Sequence, residues 1–489
     1  MSSNQLKNQH LMWRAGFGPA AAQFDALKNV SSAQLYKALQ KASANKPAYI
    51  DTANDYLKGL MMSMDDTGKQ KKKDLDKDDR KLIQQSQRES IKNLNLTWLN
   101  QMIESEAQLR EKMAFFWHGH FASRNINIFF QQNLLQVIRQ NALGSFRELL
   151  HQVSKSAAML NFLNAQQNKK DHPNENFARE VMELFTLGRG NYTETDVKEA
   201  ARAFTGWSSN GKGEFVNRKF QHDDGTKNVL GKTGKFSGDE VLDILLDHKQ
   251  TASFITQKIY RFFVNEAVDK EKVAWLSERF YKSDYNISAL MQDIFTADWF
   301  YDDKNIGVRI KSPIELIAGI QRVLPMKVEN EDTMLLVQRL LGQTLFYPPN
   351  VAGWPGGRSW IDSSTLMMRM RLPQMISDKD ELNVAPKNDD DVMMGRTADG
   401  EPNVDKRGKA SYGKAGKPIK ADIEWTNYIK NFEKVTRENL IDGLTSTLLQ
   451  LKPTVSLATI KGSADESSRD GFIKTATIQL MSIPEYQMC

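Results

Sequence analysis

The sequence predicts a mainly α-helical protein: a multi-helix, bundle-like globular core with one small irregular, β-containing segment near residues 208–236. Three observations predict it. Apolar residues recur three and four positions apart along most of the 489 residues. The periodicity breaks in only three places, each rich in charge or in Gly, Asn, Asp and Pro. Hydrophobic residues make up 40% and charged residues 26%, the balance of an ordinary folded chain long enough for a large core.

Taken in order, helical spacing runs through 20–30, 32–42, 134–154, 197–207, 240–248, 251–264, 287–300 and 312–324. The last has Ser312 as N-cap and Pro313 at the first helical position. Residues 64–90 are charge-dense and balanced, a loop leading into a solvated helix. Residues 208–236 mix Gly, Asn and Lys with scattered aromatics, which suits an irregular stretch with a short hairpin. Residues 377–421 form a polar insertion or linker. The expected organisation is a 1–376 helical core carrying the site, the 377–421 insertion, and 422–489 C-terminal helices packing back on the core. A faint echo links 290–300 with 477–487, read as a shared way of ending a helix.

Composition excludes several functions. The 66 basic and 60 acidic residues leave a net charge of +6, and the signs are mixed along the chain, so no nucleic-acid footprint is expected. No apolar run approaches the ~20 residues of a membrane span. The first residues have no apolar signal region, which points to the cytoplasm. Cys489 is the only cysteine, so neither an intramolecular disulfide nor a cysteine metal site is available.

Candidate chemistry lies in four stretches. In "KMAFFWHGHFASR" (112–124), His118 and His120 are two apart. On an α-helix they would point ~200° from each other. In an extended or turning segment they would project together, and Gly119 permits such a break. The alternative is one histidine packed in the core and the other exposed. In "NENFAREVMELFTLGRGNYTETD" (174–196), a projection at ~100° per residue puts Glu180 inside the arc of Phe177, Val181, Leu184, Phe185 and Leu187, with Glu183 just outside. A carboxylate on an apolar face is costly unless paired, protonated or bound to a metal, and two carboxylates three apart repel. The structural alternative pairs Arg179 with Glu183. In "KFQHDDGTKNVLGKTG" (219–234), His222, Asp223 and Lys227 form either a ligand and acid/base group or a polar turn. The fourth, "FYPPNVAGWPGGRSWIDSSTL" (346–366), reads as a stiff loop closing over the core; "HLMWRAGFGP" (10–19) places His10 and Arg14 one turn apart. No serine-nucleophile elbow, zincin helix or calcium loop is present.

Together, "NQHLMWRAGFGP", "FWHGHFAS", the 174–207 stretch, "FQHDDGTKNVLG", "KSPIELI", "NVAGWPGGRSWIDSSTL" and "LMSIPEYQMC" resemble, in this order and over nearly the whole chain, the bacterial family called domain of unknown function 1800. The resemblance implies a helical fold and a pattern that includes His118, His120, Glu180, Glu183, His222 and Asp223. It also implies a companion, a sulfatase- or alkaline-phosphatase-like protein of domain of unknown function 1501. Many relatives carry an export leader, which leaves a periplasmic or exported location open. Where the family often has Asn between the histidines, this chain has Gly119.

The functional expectation is a metal-dependent enzyme, hydrolytic in preference to oxidative. His118, His120, Glu180, Glu183 and His222 would bind Zn, Mn or Fe, with Glu180 or Asp223 as general base and Lys227 or Arg179 steadying an anion. Two alternatives stand beside it: an assembly or maturation partner of the companion protein, and a metal-free acid/base enzyme using paired carboxylates.

Overall fold

Capping chemistry sets where many helices begin. Ser31, Thr193, Ser237 and Ser312 each accept from the backbone three residues on, and Gln34, Asp196, Glu240 and Glu315 return the bond to the cap. Pro313 occupies the first turn of helix Pro313–Val323, as its sequence predicts. The computed structural model describes residues 3–64, 76–330, 332–378 and 419–489. These residues form a mainly helical protein with three small two-stranded antiparallel sheets.

The helical periods hold, with local revisions. The 134–154 stretch is two helices, Ile128–Asn141 and Phe146–Ser154, broken at Gly144 and Ser145. The 197–207 period ends at Ala203, and Trp207 starts a strand instead. The irregular segment holds two hairpins, Trp207–Ser209 with Phe215–Asn217 and Lys227–Val229 with Lys232–Gly234. A third pair joins Met326–Val328 to Ala421–Ile423. That strand lies at the end of the stretch read as an insertion; residues 379–418 of that stretch, and 65–75 of the charged loop, lie outside the described residues. Beyond the loop, helix Lys77–Glu104 is exposed in its first turns and buried from Ile91 onward at Leu94, Trp98 and Met102. Among the described residues no helix is long and apolar enough to cross a membrane.

Helix Gln108–His120 runs through the centre of the core. Nearly every one of its residues is buried, the pattern of a helix enclosed on all sides. Its charged residues are therefore compensated internally. Glu111 accepts from Trp98 Nε1 at 3.0 Å, from Arg139 Nη2 and Nε at 2.9 Å each, and from Arg110 Nε at 3.1 Å. Lys112 donates to the carbonyls of Trp13 and Gly16 at 3.1 and 2.8 Å and to Glu315. Glu315 also accepts from Arg309 and from the Ser312 backbone. Losing one partner of such a buried pair costs about 3–5 kcal/mol, so these links fix the helix against its neighbours.

Candidate functional site

The 108–120 helix stays helical through both histidines, so their rings diverge. His118 enters an aromatic box. Trp98 and Phe346 meet it edge-on, each at 5.0 Å, and Trp354 lies at 5.5 Å. Its Nε2 accepts from the Phe346 backbone N–H at 3.2 Å. Phe346 has φ of +68°, unusual for a bulky residue, and this hydrogen bond holds it there. Burial drives the His118 pKa down to about 3, so the ring is neutral.

His120 packs among Phe121, Phe146 and Phe185. Its Nε2 lies 3.3 Å from the Phe185 carbonyl, which makes Nε2 the protonated nitrogen, and Nδ1 is buried without a hydrogen-bond partner among the described residues. Burial, aided by the nearby Lys258 charge, holds its pKa well below the ordinary value.

The Glu-x-x-Glu stretch starts as helix Asn176–Glu180 and continues as a π-helical turn, Val181–Thr186. The Leu187 N–H reaches back five residues to Met182 at 2.9 Å. That extra residue per turn shifts the faces, so a uniform 100° projection fails beyond Val181. Glu180 and Glu183 are both half-buried. Burial, and next the Glu183 charge, push the Glu180 pKa up against a smaller pull from Arg179. Glu183 accepts from the Tyr192 hydroxyl. Arg179 pairs with Glu194 at 2.7 Å and Glu175 at 2.9 Å rather than with Glu183.

The third stretch closes on itself. His222 Nδ1 lies 3.0 Å from the Thr205 carbonyl. Asp223 pairs with Arg202 Nε at 2.7 Å, which holds its carboxyl below the usual range. Lys227 is buried and donates to the Asp223 and Gly225 carbonyls. Of the expected residues, His118 sits in the aromatic box, His120 packs against the π-turn that carries Glu183, and His222 and Asp223 are bound into the 222–227 turn. Among the described residues no three or more His, Cys, Asp or Glu side chains gather where they could hold a metal ion.

A different site emerges one layer away. A cavity of about 490 Å³ lies between the 108–120 helix, helix Lys249–Phe263, residues 309–315 and the 352–360 loop. That volume suits a small-molecule ligand. The loop predicted to close over the core forms its cover, placing Trp354 and Trp360 in the wall. Gly353 sits at φ of +81° directly against the Gly119 carbonyl, where a side chain would clash. Gly119 itself has open space where a Cβ would stand.

The lining carries four cations, Lys258, Arg261, Arg309 and Arg358, against two carboxylates, Glu266 and Glu315. Glu315 is already engaged: burial alone would raise its pKa, but Arg309 and Lys112 outweigh it and hold it ionised. Every Lys or Arg among the described residues that is fully buried, such as Arg14, Lys112, Lys311, Arg322 and Arg369, donates to a carbonyl or carboxylate. Lys258 does not. Among the described residues its only partner is the Phe254 ring, 5.3 Å from Nζ. Burial without a compensating charge brings its pKa down to about 8.

Residues 10–488 match the family described as Protein of unknown function (DUF1800). The chain belongs to this family. No curated protein and no solved structure matches it. The architecture described here is therefore that of a DUF1800 chain on its own evidence, and the family description carries no activity.

The sequence did hold one sign of the DUF1800 pocket. Phe254, Lys258 and Phe262 are spaced four apart, a cation between two aromatics on one helix face. The reasoning applied to Glu180 on its apolar arc would have singled out Lys258 too.

Proposed function

We propose that the cavity beside Lys258 is the functional centre and that it takes a small organic anion. The single observation that carries this reading is the Lys258 ammonium, half-buried beside the cavity with no carboxylate or carbonyl among the described residues to receive it. A desolvated cation without a partner is unfavourable, and a bound anion supplies what the protein withholds. Arg261 and Arg358, exposed at the same lining and free of ion pairs among the described residues, add to the positive field. Aromatic walls from Phe116, Phe262, Trp354 and Trp360 receive an apolar body.

The test is thermal unfolding with acetate, lactate and pyruvate against chloride at matched ionic strength. The reading expects at least one of these anions to raise Tm by a few degrees, since occupancy at about a hundred times Kd adds about 2.7 kcal/mol. Lys258→Met should abolish the rise while the variant stays folded. Equal Tm in all four salts, or a rise that survives in Lys258→Met, would contradict the proposal.

A further inference from the structure

We infer that Lys258 forms an imine with the carbonyl carbon of a small oxo-acid held in this pocket. The inference rests on the anion-binding reading above and goes on to name the reactive group of the ligand.

Three features of the geometry point there. First, Lys258 is uncommitted. A lysine that serves structure donates to a fixed acceptor, as Lys112 does to Gly16 and Lys227 does to Gly225. The amine of Lys258 has no such bond among the described residues. Second, its neighbours are apolar. Phe254 and Phe262 lie one turn to either side, and Phe116 and Trp354 line the cavity. An apolar setting disfavours the ammonium relative to the neutral amine, which is the nucleophile. Third, a second cation is placed to take the carboxylate. Arg261 is three residues on, hence about 5–6 Å away at Cβ and on the same side of the helix. A guanidinium holds a carboxylate through paired N–H donors, leaving the adjacent carbonyl carbon within reach of the amine.

The other groups facing Lys258 do not oppose this. His120 is neutral, so it adds no second positive charge. Arg309 is bound to Glu315. Glu266 is an exposed carboxylate lining the same cavity. The step balances without an oxidant or reductant. The ammonium gives up one proton, and the nitrogen lone pair forms the C–N bond as the carbonyl pair moves to oxygen. The nitrogen then loses a second proton. The oxygen takes both protons and leaves as water. Ammonium and carbonyl become iminium and water.

A pKa of about 8 gives about two-hundredfold more neutral amine near pH 7.5 than an ordinary exposed lysine holds. The experiment uses that margin. The full chain is treated with pyruvate and sodium cyanoborohydride, digested, and the reduced adduct is quantified at each lysine by mass spectrometry. Lys258 should be modified at least tenfold faster than exposed Lys249 and Lys270, and excess lactate, which binds as an anion but has no carbonyl, should slow it. Lys258→Arg should keep the Tm rise with lactate and lose the dominant adduct. The wild-type adduct map needs no variant, so a misfolded Lys258→Arg would not blunt the test. A Tm rise with lactate or pyruvate but labelling at Lys258 no faster than at Lys249 overturns the imine and leaves the anion pocket standing. No Tm rise and no preferred labelling overturns both.

Discussion

Replacing His118 with Gln should flatten the acid dependence of stability. In the folded protein the ring is buried in its box and its pKa is about 3; in the unfolded chain it returns to about 6.5. The unfolded state therefore binds a proton that the native state refuses, so stability rises with pH across this window and is lost as pH falls below about 6.5. Each pH unit is worth about 1.4 kcal/mol, so His118 alone removes about 2–3 kcal/mol between about pH 6.5 and about pH 4.5. His10 and His120, also held well below the ordinary value, act with the same sign. His151 acts oppositely: its hydrogen bond to Asp239 raises its pKa, so its contribution is present at low pH and lost as pH rises. The comparison with His118→Gln isolates one site, because the Gln oxygen can still accept from Phe346. Urea unfolding at about pH 4.5, 5.5, 6.5 and 7.5 reads the effect. The variant should start less stable at neutral pH and close the gap by about 2–3 kcal/mol toward pH 4.5. Parallel curves would refute the assignment of a buried neutral histidine at this position.

Glu315→Gln should destabilise by about 3–5 kcal/mol in urea unfolding, because Lys112 and Arg309 would lose the buried carboxylate they share. Gly119→Ala should be neutral or stabilising by about 0.5–1 kcal/mol, since the site is helical and a Cβ there meets nothing; Gly119→Leu should stay folded yet lose the anion-induced Tm rise by filling the cavity. Lys258→Met should leave the unliganded protein as stable as wild type or more stable by about 1–3 kcal/mol, since it relieves an uncompensated charge. That gain should shrink as pH rises from about 8 toward 10.5, where wild-type Lys258 sheds its proton at no cost to the fold.

The helices were legible because their signals are local. Ser312, Pro313 and Glu315 fix one N-terminus within four residues, and the apolar spacing of 251–264 carries helix Lys249–Phe263. The Met326–Val328 and Ala421–Ile423 pair was not legible, since neither strand is marked without a partner distant in sequence. The π-turn at Val181–Thr186 escaped for another reason: one inserted residue leaves composition unchanged but rotates every later side chain. At the site, the "FFWHGHF" stretch was singled out for its two histidines, with one packed and one exposed as the alternative; both are buried, and Phe116, Gly119 and His120 line the cavity. Its histidines were weighed as ligands because the type and spacing of polar residues carry chemistry on paper. The Phe254, Lys258 and Phe262 spacing was on paper, but that Lys258 lacks a carboxylate or carbonyl partner among the described residues shows only once the neighbouring helices are in place.

The central claim is that Lys258 stands desolvated beside the cavity without a counter-charge among the described residues. Carbon-13 NMR of lysine-labelled protein, with the Lys258 signal assigned by its loss in Lys258→Arg, measures this directly. A midpoint near 8 that moves upward when an anion binds is the predicted result. A midpoint near the ordinary value of about 10.4 in the unliganded protein would contradict it.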